Sequence, residues 1–400
     1  MIAIPSVRCR AVRPSRMALF LLFSIALPIA TQAQESASDA GKLSEVASFE
    51  HQVTGVTVSE NGRIFVNFPR WSEDAPVSVA EVVDGEVRPY PDEEWNSWRN
   101  ARKNEVDPET HFVSVQSVVA DGRGSLWVLD PAAPATTFLV PNGPKLVKID
   151  LATNKVSETF PVGTDAAPQG TYLNDVRLSP DGRHAYITDS GPDGALIVID
   201  LETKKARRLL SGHPYVKADP AVVVKHHGVP IRRPDGRGVE FSADGIALSP
   251  DGETLYWQAL TGRTLYSVST SVLEEPGAND ETVAAAVRNA GDNGVSDGLW
   301  MDGDGRMYIS ALEEDAIKLR DTAGNISTII RDEKLRWPDT FSEGADGRMY
   351  ITTSRIMDMN WYKPDSPIAL STTLWSFDPD RSSPAGTSAP EASAPDPTTR

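Results

Sequence analysis

The chain has 400 residues, of which 40% are hydrophobic and 24% charged, and its 29 Gly and 30 Pro exclude a long helical bundle or coiled coil. Lys and Arg total 39 against 56 Asp and Glu, a formal charge of −17, which repels phosphate backbones and argues against a nucleic-acid partner. The single cysteine, Cys9, stands so near the N-terminus that its fate follows that of the leader.

Arg8, Arg10, Arg13 and Arg16 precede an apolar run, MALFLLFSIALPIA (17–30), and then Thr31-Gln32-Ala33, small residues of the kind a signal peptidase reads. This pattern predicts a secretory signal peptide over 1–33. A membrane anchor is the competing reading, but about 14 apolar residues broken by Pro28 are short of the roughly 20 that a spanning helix needs. Cleavage after Ala33 removes four arginines and no acid, leaving 35 basic against 56 acidic side chains, a charge of −21, and no cysteine. The expected product is secreted or periplasmic, with no disulfide and no membrane attachment after cleavage. At the other end, RSSPAGTSAPEASAPDPTTR (381–400) is too poor in apolar bulk to fold and reads as a disordered tail.

Between these segments, residues 43–380 carry an internal repeat. Six stretches share one plan, a period-two strand, an Asn-Gly or Asp-Gly turn and a second strand rich in Tyr, Trp and Ile: TGVTVSENGRIFVNF (54–68), QSVVADGRGSLWVLD (116–130), NDVRLSPDGRHAYITD (174–189), DGIALSPDGETLYWQA (244–259), DGLWMDGDGRMYISA (297–311) and PDTFSEGADGRMYITT (338–353). Each reads as a hairpin. A third strand follows most of them, at 145–151, 195–201, 264–270, 316–321 and 374–380, and KVSETF and NISTII supply fourth strands. Six units of four antiparallel strands predict an all-β chain, a six-bladed β-propeller over 43–380; a set of β-sandwich domains is the competing reading. At about 56 residues per blade, longer than common propeller repeats, long loops must decorate one face. LSEVASFEH (43–51) is a suitable outer strand for the last blade, so the ring closes on its own N-terminal segment.

The chain resembles the major royal jelly protein and yellow family in PRW (69–71), PYPDEEWN (89–96), VSVQSVVADGRGSLWVLD (113–130), YLNDVRL (172–178), AYITDSG (185–191), GIALSPDG (245–252), SDGL (296–299) and WPDTF (337–341). The resemblance covers nearly all of 43–380 and implies a secreted six-bladed propeller. The cysteines of the insect members are missing from the mature segment, which is similar to a bacterial branch where dopachrome-tautomerase-like naming is common. Insect relatives that bind biogenic amines imply a small organic ligand.

In a propeller the first residues of the inner strands converge on the central channel. Aligned by repeat, Thr54, Gln116, Asn174, Asp244, Asp297 and Pro338 fall at one level, and Gly55, Ser117, Asp175, Gly245, Gly298 and Asp339 at the next. Gln116, Asn174, Asp175, Asp244, Asp297 and Asp339 are the candidate ligand-binding residues, hard oxygen donors of the type that Ca²⁺ and Mg²⁺ prefer. The pattern is also similar to gluconolactonase and regucalcin propellers, and that resemblance implies a divalent ion on Asn174, Asp244 and Asp297. Where those enzymes open the first blade with Glu, this chain has Thr54-Gly55. The same Asp-Gly and Asn-Asp pairs can instead serve strand-start turns. If the site is catalytic, Asp297 is the candidate general base beside a metal-bound water.

Three functions follow from this reading: a propeller that binds a small organic ligand in an acidic channel, a metal-dependent lactonase, and a dopachrome-type tautomerase. Trp71, Tyr90, Trp95 and Trp98 after the first hairpin, and Trp337, Trp361 and Tyr362 around the sixth, could wall the channel mouth against an organic amine or simply pack the blades. The six histidines match no zinc spacing; the adjacent His226 and His227 point opposite ways if extended and read as solvated loop residues. No phosphate-binding glycine loop or Gly-x-Ser-x-Gly elbow is present.

Overall fold

The computed structural model describes residues 42–379 except 73 and 137. The chain divides into two units, Met1–Ser38 and Asp39–Arg400, and every described residue belongs to the second. The expected leader with Cys9 and the expected tail lie outside the described residues. Among the described residues, no helix is long and apolar enough to cross a membrane.

Six four-stranded antiparallel sheets form a six-bladed β-propeller. The inner strands are Val56–Val58, Ser117–Ala120, Leu173–Leu178, Ala243–Leu248, Leu299–Met301 and Pro338–Glu343. Each packs beside the next, and the sixth beside the first, so the ring is closed. In blades one to five the strands run outward in chain order. Blade six is completed from the N-terminal side, where Ser44–Phe49 pairs with Thr372–Phe377 as its outermost strand.

The hairpins form for a local reason. The turn glycines Gly62, Gly182, Gly252, Gly305 and Gly347 lie at φ of 73–81°, a conformation in which a side chain would clash with its own backbone. Each also donates its N–H to the carbonyl three residues earlier. Alternation then drives apolar residues into the spaces between blades: Ala185, Ile187, Ile197 and Ile199 pack with Leu146 and Phe160, while Tyr186, Leu196 and Val198 pack with Ile246 and Trp257. Blade three is thus wedged between its two neighbours by opposite faces of the same strands.

Two features complete the expected four strands per blade at places that the sequence pattern did not name. Blade one has its own third and fourth strands, Val79–Val83 and Glu86–Pro89, and two short helices, Thr270–Glu274 and Asp280–Ala286, separate the third and fourth strands of blade four. The second helix is fixed by a capping box in which Asn279 and Thr282 bond reciprocally.

Candidate functional site at the channel mouth

Strand pairing determines which residues meet at the channel. In blades three, four and six the inner strand carries one extra residue: Leu173 pairs with Asp189 but Val176 with Ile187, Ala243 with Ala259 but Ile246 with Trp257, and Pro338 with Thr353 but Phe341 with Ile351. These bulges re-aim side chains at the strand starts. Counting back from the paired residues makes Thr54, Gln116, Asn174, Asp244, Asp297 and Asp339 equivalent. The repeat alignment therefore slips by one in the sixth blade: Asp339, not Pro338, stands at the level of Asp297.

The next level explains the glycines. A Cβ on Gly298 would lie 1.9 Å from the Asp339 carbonyl oxygen, and one on Gly245 would lie 2.3 Å from that of Asp297. Neighbouring inner strands approach so closely that only glycine fits between them. Blade-to-blade bonds then fix the backbone of the channel residues, because Thr188 donates to the Asp244 carbonyl and Thr352 to the Thr54 carbonyl.

Gln116, Asn174, Asp244, Asp297 and Asp339 line one cavity of about 30 Å³, walled also by Trp71, Tyr172 and Trp361. Asp175 is absent from it. Its carboxylate accepts from Ser117 Oγ at 2.7 Å and pairs with Arg177 at 3.0 Å, although its charge still acts on the three channel aspartates. Asp297 Oδ2 accepts from the Trp337 indole N–H at 2.6 Å, and Asp339 accepts from Thr340. Trp71 donates to the Tyr172 hydroxyl at 2.5 Å, which donates to Gln116 Oε1 at 2.8 Å, so the Gln116 carbonyl already holds a partner.

The electrostatics of this cluster are unfavourable when it is fully ionised. Burial, then the charge of Asp297, pushes the Asp244 carboxyl well above the usual carboxylate range, and the same causes raise Asp339. Burial raises Asp297 to about 6, against the pull of its bond from Trp337. Among the described residues no lysine or arginine appears beside the three to balance them. Asn174, Asp244, Asp297 and Asp339 offer hard oxygens around a space large enough for one ion or one water. The donor types suit a divalent cation, but the three carboxylates do not bring their oxygens within 4.8 Å of one another as His226, His227 and Asp315 do, so the side chains must draw together to hold one.

The aromatic residues divide between mouth and packing. Trp71 and Trp361 lie 5.7 Å apart at the cavity wall. Tyr90 and Trp95 pack on Phe65 and Phe112, and Trp98 is fully buried away from the channel. Arg70 of the PRW motif is wholly buried and donates to the carbonyls of Ala75, Phe112, Val113 and Asn96, which pins the long connection after blade one. The orienting role of Trp337 was not read from sequence; its place beside Pro338-Asp339 in WPDTF was the available signal.

The histidine pair also departs from expectation. His226 and His227 do not point apart: their rings lie 4.2 Å apart and both bond to Asp315. The strands Lys225–His226 and Val229–Pro230 form a tight hairpin, and His227 and Gly228 at its tip have φ of 47° and 81°. An extended backbone was the wrong premise.

Comparison with known proteins places these residues in context. The family model described as major royal jelly protein matches residues 113–365. Major royal jelly protein 5 of Apis mellifera is 28% identical over 238 residues, 55% of this chain and 36% of that protein. The match thus spans about a third of the length of that curated relative. Among solved structures, a gluconolactonase from Xanthomonas campestris superposes with a TM-score of 0.50 at 13% identity, covering 84% of this chain and 88% of that one. The calcium-binding protein regucalcin from Agrobacterium tumefaciens gives 0.50 at 15%, covering 83% and 93%. A luciferin-regenerating enzyme gives 0.51 at 11%, covering 84% and 94%. At these identities the structural likeness speaks for the fold alone.

Proposed function

The chain belongs to the major royal jelly protein family, and from that premise we propose that it is an exported propeller whose channel mouth binds a divalent cation, Ca²⁺ or Mg²⁺, and a small organic ligand above it. The observation that carries this reading is the meeting of three buried carboxylates without a basic partner among the described residues. Such a cluster is costly unless protons or a cation neutralise it. Asn174, Asp244, Asp297 and Asp339 would hold the ion. The cavity of about 30 Å³ is too small for an organic molecule, which must instead lie at the mouth against Trp71 and Trp361. Export rests on the leader read over 1–33 and on the absence of cysteine after it.

A second reading, hydrolysis of a lactone, is favoured by Asp297. Without an ion, burial raises Asp297 to about 6, so its carboxylate forms near neutral pH, and it stands in the cavity where it could take a proton from an attacking water. A bound divalent ion supplies Lewis acidity toward a carbonyl oxygen.

Thermal-shift and calorimetric titrations with Ca²⁺ and Mg²⁺ test the site. The midpoint should rise with the logarithm of cation concentration, and Asp297→Asn should abolish the rise. No shift with either ion at millimolar concentration sinks the cation site. Lactone turnover that disappears in Asp297→Asn would select the second reading.

A further inference from the structure

The geometry points to a separate transition-metal site on His226, His227 and Asp315, in a cavity that shares no lining residue with the channel cavity. His226 Nε2 lies 2.9 Å from both Asp315 oxygens, and His227 Nε2 lies 2.8 Å from Oδ2. All three donor groups fall within 4.8 Å of one another. Two imidazoles and a carboxylate form a borderline N/O donor set, which suits Zn²⁺ and its first-row neighbours rather than Ca²⁺ or Mg²⁺. In a tetrahedral site with bonds of about 2.0–2.1 Å, neighbouring donors stand about 3.3 Å apart. The nitrogen–carboxylate spacings need to open by only a few tenths of an ångström, and the two ring nitrogens lie within 4.8 Å of each other.

Two backbone elements hold the donors in place. The histidines occupy the tip of the 225–230 hairpin in the connection from blade three to blade four. Asp315 lies in the turn between Met307–Ala311 and Ala316–Arg320 of blade five, at φ 48°. The hairpin is tied to that turn independently of the imidazoles: the His227 N–H donates to the Glu313 carbonyl at 3.0 Å, and the Lys225 N–H donates to Glu313 Oε1 at 2.8 Å. Donors fixed before an ion arrives lose little freedom on binding it.

Access and room are both present. The Asp315 side chain is 5% exposed, while that of His227 is 55% exposed, so the carboxylate is withdrawn and one imidazole is open to an arriving ion. All three residues line a cavity of about 770 Å³ whose wall also carries Arg232, Arg336 and Lys363. Arg336 and Lys363 also bond to Asp358, and the wall carries three basic side chains, Arg232, Arg336 and Lys363, against the two carboxylates of Asp315 and Glu333, a small positive excess. A fourth donor completing a tetrahedral ion here is therefore a water or an anionic ligand.

The test is titration of the untagged, chelator-stripped full chain with Zn²⁺ by calorimetry, repeated with Co²⁺ to read its visible d–d bands. The expected result is one Zn²⁺ per chain at this site, weakened at least about tenfold in His227→Ala and in Asp315→Asn, and unchanged in Asp297→Asn. His227 is exposed, so its alanine variant should fold, and circular dichroism checks this. Absence of stoichiometric Zn²⁺ binding overturns the proposal. So does binding that survives His227→Ala but is lost in Asp297→Asn, which would place the ion at the channel.

Discussion

Asp244, Asp297 and Asp339 meet at the channel mouth with no balancing lysine or arginine among the described residues, whereas Asp315, equally hidden from solvent, receives two imidazoles. The first group takes hydrogen bonds from neutral donors, Trp337 and Thr340, and is costly unless protons or a cation neutralise it; the second shares its one carboxylate between two imidazoles. Burial of a carboxylate is thus no guide to its role until its partners are counted. The two regions also differ in how they are built. Equivalent positions of a repeat create the channel cluster, and two unrelated loops create the histidine cluster.

The strongest break in this comparison is Gly298→Ala. Its Cβ would enter the Asp339 carbonyl, so the change should cost about 3 kcal/mol, the upper part of the overpacking range, and remove the Ca²⁺-induced thermal shift. Zn²⁺ binding at the hairpin should persist, as calorimetry on the same variant would show. Equal loss at both sites would mean that the regions are not independent.

A smaller effect carries opposite signs at the two places. Without added metal at pH 7.5, Asp244→Asn removes a buried carboxyl whose ionisation is disfavoured by burial and by Asp297, and should stabilise the chain. Asp315→Asn takes the shared acceptor from two imidazoles and should destabilise it by about 1–3 kcal/mol. Chemical denaturation measures both, and a common sign would erase the contrast.

The smallest expected effect is a pH trend. The channel carboxyls have raised pKa values in the folded state, Asp297 reaching about 6, against about 3.9 in an unfolded chain. Between those values the folded state binds more protons, so this contribution to stability is full below about pH 4 and is lost as pH rises through about 6. The metal-free melting temperature should accordingly be higher at pH 5.5 than at pH 7.5, and saturating Ca²⁺ should narrow the gap. A flat profile that Asp244→Asn does not alter would contradict the assignment of this cost to the channel.

How legible these regions were in the sequence follows from their construction. The hairpins could be read because an Asp-Gly turn is a local signal, and the six turns sit at comparable places in six segments. Asn174, Asp244 and Asp297 followed by alignment. Asp339 was placed one level away because its bulge is a property of pairing with Met349–Thr353 rather than of its own segment. Asp175 resembled a channel residue in composition, but the adjacent Arg177 and the facing Ser117 engage it. The meeting of His226 and His227 with Asp315 joins residues 88 and 89 positions apart. A positive φ at His227 has no strong local signature beyond the glycine that follows it. Repetition makes distant residues comparable, while a contact between two loops leaves no periodic trace.

The closing strand has a consequence for how the molecule is made. Val53 N–H and the His51 carbonyl both bond to the Thr372 hydroxyl, across separations of 319 and 321 residues. Ser44–Phe49 is synthesised before any other described strand, yet it has no partner until Thr372–Phe377 has left the ribosome. The first strand made is the last one paired, so ring closure is a post-translational event governed by a very distant contact. Once closed, both ends of the propeller segment are held in the same sheet, and neither can unzip without opening blade six.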